Sequence, residues 1–347
     1  MKRFFTLFLA MVLALLALSG CKKKQKRVLH LYNWGDYISE DMLARFEKEF
    51  DCKVKVDVFD SNEAMYAKLK AGAGGYDVVV PSSYMAKVMY NQGMLLELNK
   101  DQLPNVVEHL DTSYLPLMQD KSMKYSVPYF VSFTGIGYNT KQLKDFKPSW
   151  KMFEEASINH RCSLLNDQRE VLGAALSTLG YSVNTTHQEQ LDEAVKLIQS
   201  WKKNIAKFGV DDCKMALASG EFFMIQTYSG DMLQVMIEKP EIAFVIPEEG
   251  STVTFDNFCI TKNSENVDLA YAFINFMYDP EVSASNMDEI MYVSPNTEAL
   301  VLVCEELKNN PAFNLPEDAR SRCQALEDLG DDNTKYVKAW DKIREEK

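Results

Sequence analysis

The chain has 347 residues, 46% of them hydrophobic and 25% charged, the balance of an ordinary globular protein. Its formal net charge of -12 at pH 7 makes nucleic acid a poor partner and cations a good one. Four scattered histidines and seven cysteines without a Cys-x-x-Cys pair give no support to a metal site, so neither metal nor cofactor is expected.

Residues 1–20 read as a signal peptide, because Lys2 and Arg3 precede an apolar run over residues 4–18 that is short for a membrane span. The run ends in Leu18-Ser19-Gly20-Cys21, which resembles the lipobox of bacterial lipoproteins, where the cysteine is lipidated and becomes the mature first residue. Removal of the leader leaves 327 residues with a charge of -14, enough for two α/β domains. Residues 21–27 then form a lipidated cysteine and a basic tether with nothing apolar to bury. The expected product is periplasmic or at the cell surface, attached to a membrane by lipid without spanning it. The remaining six cysteines allow fifteen pairings; their scatter and apolar neighbours equally suit buried free thiols.

The first folded stretch, Leu29-His30-Leu31-Tyr32-Asn33-Trp34-Gly35-Asp36-Tyr37-Ile38, starts as a strand and breaks into a turn carrying Trp34, Asp36 and Tyr37. In open α/β sheets ligands bind at the C-terminal ends of strands. Two aromatics beside an acid suit an alkyl ammonium, through cation–π attraction and a counter-charge, although burial in the core is the ordinary fate of such rings. Ser39 and Ser61 open the next two helices, with a second strand over 54–59 between them. Glycines 72, 74 and 75 follow a helix and precede a strand, the reverse of a phosphate loop, and read as a helix stop. Val78-Val79-Val80 is a buried parallel strand ending at Pro81-Ser82-Ser83-Tyr84, where the hydroxyls either cap a helix or face a ligand.

Extended segments at 125–138 and near 253–258 suit crossovers between two domains. Between them lies a second α/β set with strands at 162–165, 222–225 and 243–246. Asp167 and Glu170, three apart at a helix start, either form a reciprocal capping pair or turn together into a cleft to accept an ammonium. A helix over 269–278, a loop at Tyr292-Val293-Ser294-Pro295-Asn296 and a polar terminal helix from residue 333, with Tyr336 and Trp340 on one face, complete the reading.

Several of these runs, Tyr32-Asn33-Trp34-Gly35-Asp36-Tyr37, Ser61-Asn62-Glu63-Ala64-Met65-Tyr66-Ala67-Lys68-Leu69, the stretch from Tyr76 to Tyr84, Asp167-Gln168-Arg169-Glu170 and Phe255-Asp256, resemble the polyamine-binding proteins of spermidine/putrescine ABC importers. The resemblance implies an α/β periplasmic solute-binding fold of type II-like form. Its lobes would comprise residues 28–138 plus about 257–303 and about 139–256 plus 304–347, and would close on the ligand without catalysis. It places Trp34, Asp36, Tyr37, Ser82, Ser83, Tyr84, Asp167, Glu170, Asp256 and Tyr292 in the site, with Tyr228 and Phe255 as further walls and the acids pairing with the ammonium ends. Where the family commonly has tryptophan, the chain carries Tyr228 and Thr254, and Leu326 stands where some members place glutamine; these changes lean toward putrescine over spermidine. The implied partners are a polyamine and the permease subunits of the importer, with the chain acting as a monomer. An amino-acid ligand would want an arginine fork, and Arg169 is flanked by acids. An enzyme lacks its motifs. A polyamine sensor of the same fold stays open as an alternative.

Overall fold

The computed structural model describes residues 26–345 except residue 314. The leader and Cys21 lie outside the described residues. Arg27, assigned above to the tether, already belongs to the sheet, paired in register with Cys52, while Lys26 makes an ion pair of 2.7 Å with Asp51.

The chain opens with β1 (Arg27–Trp34), α1 (Glu40–Glu49) and β2 (Cys52–Phe59), a parallel βαβ unit. The Ser39 side chain accepts the Met42 N–H and starts α1, which buries Phe46 against the sheet. The Ser61 hydroxyl likewise starts α2 (Asn62–Lys70). Beyond it, Gly72 and Gly75 take the positive φ that stops the helix, at +93° and +94°. The strand that follows is regular only over β3 (Val78–Val79), parallel to β1 and buried on both faces, as its unbroken apolar run requires. It leads into α3 (Ser83–Asn91) and then α4 (Pro104–His109).

Two long strands then connect the lobes. β4 (Val127–Asn139) continues into a second α/β set of β5 (Cys162–Leu164), α5 (Gln168–Thr178), α6 (Gln188–Trp201), β6 (Lys207–Phe208), α7 (Asp211–Ser219), β7 (Met224–Tyr228), α8 (Ser229–Glu238) and β8 (Ile242–Val245). β9 (Ser251–Ile260) returns antiparallel to β4, from Phe133 opposite Val253 to Val127 opposite Phe258, and ends beside β3. The strand order β2-β1-β3-β9-β4-β7-β5-β6 therefore makes β4 and β9 the shared centre of both lobes, and these are the two segments read as crossovers. After α9 (Val267–Met277) and α10 (Pro280–Ile290), short helical turns lead to β10 (Cys323–Ala325) on the edge of β9. The final helix, α11 (Asn333–Glu345), buries Tyr336, Ala339 and Ile343.

One hydrophobic cluster fills the second lobe around Trp150 and Trp201. Another lies on the first lobe's sheet between Tyr32, Phe59 and Tyr84 and includes Leu326. The six cysteines among the described residues are free thiols, and Cys52, Cys162, Cys213 and Cys259 are buried.

Candidate ligand-binding site

The candidate site centres on one carboxylate. Asp256 lies in the middle of β9, where both lobes meet, and is only 8% exposed. Tyr37 donates its hydroxyl to Asp256 Oδ2 at 2.7 Å, and Ser82 donates to Oδ1 at the same distance. These two donors come from the ends of β1 and β3, which the parallel register sets side by side. Burial pushes the Asp256 carboxyl up to about 6, with the two hydroxyls partly offsetting it. A carboxylate held by neutral donors and desolvated in this way is short of positive charge.

The Ser82 hydroxyl therefore does not cap α3; no side-chain cap bond is made there. Its orientation is set by Asn62, which accepts the Ser82 N–H at 3.0 Å and donates to its Oγ at 3.1 Å. Ser83 instead accepts from Asn257 at 3.0 Å. Tyr37 is fixed edge-on to Tyr292, with ring centroids 4.8 Å apart, and its own carbonyl accepts the Tyr129 hydroxyl at 2.8 Å.

The second group of acids comes from the second lobe, whereas the two donors to Asp256 come from the first. Asp167 caps α5, accepting the N–H groups of Arg169 at 2.8 Å and Glu170 at 3.1 Å. Glu170 does not reciprocate: it turns inward, 2% exposed, and accepts the Thr252 hydroxyl. The capping box is thus half formed, and the member that leaves it is the one buried toward β9. Burial raises both carboxyls, and for Glu170 the neighbouring Asp167 charge raises it further. Tyr228 lies within the field of Asp167, Glu170, Tyr292 and Asp231, and Tyr292 within that of Asp231 and Asp256. Burial above all keeps these phenols protonated. The tyrosines consequently link the Asp256 end of the site to the Asp167 and Glu170 end.

Trp34 stands half-buried at the end of β1, its indole N–H donated to the Val80 carbonyl at 2.9 Å and its ring against Phe59 at 4.4 Å. Asp36 is exposed on the following turn at φ +49°. Tyr84 is buried behind the Asp167 end, donating to Glu63 at 3.3 Å. A cavity of about 370 Å³ lined by Glu63, Tyr84, Arg169 and Leu329 opens there. Phe255 falls elsewhere. Adjacent strand residues point to opposite faces, so with Asp256 turned to the site Phe255 packs on the other side, 1% exposed and edge-on to Tyr114 at 5.7 Å. Thr254, two residues from Asp256, shares its face.

Asp231 was not anticipated from sequence. It lies in the first turn of α8, where an acid is ordinary for the helix dipole, so its pattern carries no signal. It is buried, accepts the Tyr292 hydroxyl at 3.2 Å and lies 3.4 Å from the Lys214 ammonium. Gly230 beside it leaves room for the Tyr292 ring: a Cβ there would stand 2.3 Å from it. Among the described residues no group of three or more His, Cys, Asp and Glu side chains could hold a metal ion, and no helix is long and apolar enough to cross a membrane.

Residues 41–314 match the family described as bacterial extracellular solute-binding protein. A putrescine/cadaverine-binding protein of Pseudomonas aeruginosa is 34% identical over 330 residues, covering 91% of this chain and 93% of that protein. Among solved structures, a protein of Listeria monocytogenes described as a spermidine/putrescine ABC transporter is 33% identical, with a TM-score of 0.88 over 92% of this chain and 99% of that one. A Treponema pallidum lipoprotein, TpPotD, is also 33% identical, with a TM-score of 0.83 over 91% and 99% of the two chains. The two α/β lobes joined by paired central strands and these likenesses along nearly the whole described chain agree: the chain belongs to the bacterial extracellular solute-binding proteins.

Proposed function

We propose that the chain captures a polyamine between its lobes and delivers it, chemically unchanged, to an ABC importer. The observation that carries this reading is the pairing of two desolvated acid groups, Asp256 on one side and Asp167 with Glu170 on the other, joined by the rings of Tyr37, Tyr292 and Tyr228. An extended diamine satisfies such a site. Each ammonium supplies the charge that a buried carboxylate lacks, and the aromatic faces cover the methylenes. Trp34, Ser82, Tyr84 and Tyr292 complete the proposed walls, Asp36 and Ser83 border them, and Phe255 supports β9 from behind. The names of the relatives, which include putrescine and spermidine binders, support the same ligand class.

The division into lobes at the β4 and β9 crossings, removal of residues 1–20, lipidation of Cys21 and monomeric action belong to the same proposal. A lipoprotein of similar structure supports the anchor. The test is tryptophan fluorescence of a form lacking residues 1–21, titrated with putrescine, spermidine and glutamate. Trp150 and Trp201 are fully buried in the second lobe's core and Trp340 packs edge-on to Phe208 on the terminal helix, so a response from the site is expected to come from Trp34. A saturable change with a polyamine, lost in Trp34→Phe and absent with glutamate, is the expected outcome. No binding of either polyamine by calorimetry would overturn the ligand.

A further inference from the structure

Lys214 is turned into the protein although it lies on a surface helix. Its side chain is 16% exposed, against 42% for Lys207 nearby, and lysine is rarely buried without a partner. From α7 it reaches across to α8, where its ammonium lies 3.4 Å from Asp231 Oδ1 and 2.9 Å from Gln234 Oε1. Asp231 and Gln234 are three apart and share one helix face. Both also touch the segment that carries Tyr292: Asp231 accepts the Tyr292 hydroxyl at 3.2 Å, and Gln234 donates to the Ile290 carbonyl at 2.9 Å. The other acid near Lys214, Asp211 at 3.9 Å, is 87% exposed and solvated. The buried anionic partner of this ammonium is therefore Asp231, with Gln234 as its neutral acceptor.

The position of Asp231 gives that pairing its meaning. Through Tyr292 it adjoins Tyr37 and the Asp256 end of the site, and it lies in the electrostatic reach of Tyr228, which also feels Asp167 and Glu170. It is thus a fourth acid, set beside the Tyr292 wall of the site, and the protein supplies its counter-charge from behind. We infer that Lys214 is a specificity-determining residue: by occupying Asp231 it withholds that carboxylate from an internal ligand ammonium and sets the site for a diamine over a triamine.

The inference rests on the polyamine reading and deepens it. Without the Lys214 charge, Asp231 becomes a buried carboxylate without a compensating cation, and an additional ligand ammonium is the natural replacement. The experiment is calorimetric titration of the wild type, Lys214→Met, Lys214→Gln and Lys214→Arg with putrescine and spermidine, each at two salt concentrations, with thermal melts as the check on folding. In the Met and Gln variants the affinity ratio of spermidine to putrescine is expected to rise by about tenfold or more, the scale of a close charge pair. The salt dependence of spermidine binding should steepen with it, and Lys214→Arg should keep the wild-type ratio. Gln keeps a hydrogen-bond donor for Asp231 and serves if Met does not fold. A structural role alone would weaken both ligands in parallel, so an unchanged ratio in a folded variant overturns the inference while leaving the polyamine reading intact. A wild type that binds neither ligand overturns both.

Discussion

Asp256, as the proposed ammonium partner, ties stability to ligand capture through one side chain. Its carboxyl titrates near 6 in the fold against an ordinary 3.8, so between roughly pH 4 and 6 the ligand-free fold holds a proton that the unfolded chain has released. Its contribution to stability therefore falls as pH rises through that window and is lowest above it. A bound ammonium favours the ionised form, so ligand must displace the proton at low pH. Two outcomes follow. Polyamine affinity should decline as pH drops below about 6, with proton release at pH 5.5 and almost none from this group at 7.5, measured by calorimetry in buffers of different ionisation enthalpy. Asp256→Asn keeps groups able to bond Tyr37 and Ser82 but removes the charge, so at pH 7.5 its ligand-free form should melt no lower than wild type. Its affinity should fall by roughly thirty-fold or more, the cost of about 2 to 5 kcal/mol for removing one member of a desolvated pair. A variant that binds normally would remove Asp256 from the site.

At the scale of elements, strand and helix periodicity made most of the fold legible, while the direction in which individual polar side chains turn was not. Ser39 and Ser61 cap their helices as their sequence context suggests, but Ser82, in an equally good capping position, is captured by Asn62 and Asp256, residues brought together only by the sheet. The same limit applies to Asp167 and Glu170, where local geometry satisfied one and tertiary packing took the other. Alternation along β9, readable from sequence as period two, separates Phe255 from Asp256, so a wall role for Phe255 and an ammonium-pairing role for Asp256 are not met on one face of the strand. Asp231 and Lys214 were illegible because their meeting depends on how α7 packs on α8. The packing of α8 is itself open to test. A Cβ at Gly230 would meet three Tyr292 ring atoms within 2.4 Å, so Gly230→Ala must displace the ring and with it the contacts to Asp231 and Tyr37. The expected loss is about 1 to 3 kcal/mol of stability, as for other overpacked sites, together with weaker polyamine binding. Gly74→Ala, with no atom within 4 Å of the added Cβ, is the control for an ordinary glycine replacement. Equal melting temperatures and affinities in the two variants would show that the ring has room to move.

For the whole molecule, the question is what holds the lobes together over a group of acids. Asp167, Glu170, Asp231 and Asp256 are gathered where the lobes meet, and the cations beside them are Arg169 and Lys214. Arg169 is committed elsewhere: it donates to the Glu327 carbonyl and to Asn184 and lies over the Tyr336 ring at 4.7 Å, tying the C-terminal segment to the second lobe. At neutral pH, bringing the lobes together thus takes these carboxylates out of water, which favours their separation unless a cation enters. The contacts that span the lobes at the cleft edge are modest, such as Gln168 to Glu63 at 3.5 Å and the Arg169 guanidinium over the Tyr84 ring at 5.8 Å. A ligand shifts such an equilibrium only by its differential affinity for the two states, and a dication that pairs with Asp167 and Glu170 of the second lobe and with Asp256, held by Tyr37 and Ser82 of the first, has that preference. Small-angle scattering should therefore give a smaller radius of gyration with putrescine than without it at pH 7.5. At pH 5 the ligand-free value should move toward the bound one, because protonation of Asp256 and Glu170 removes the cost of burying their charges. Equal radii with and without ligand at pH 7.5, in a chain shown to bind it, would mean that the lobes are held by their backbone crossings alone and that the buried acids tune affinity without driving closure.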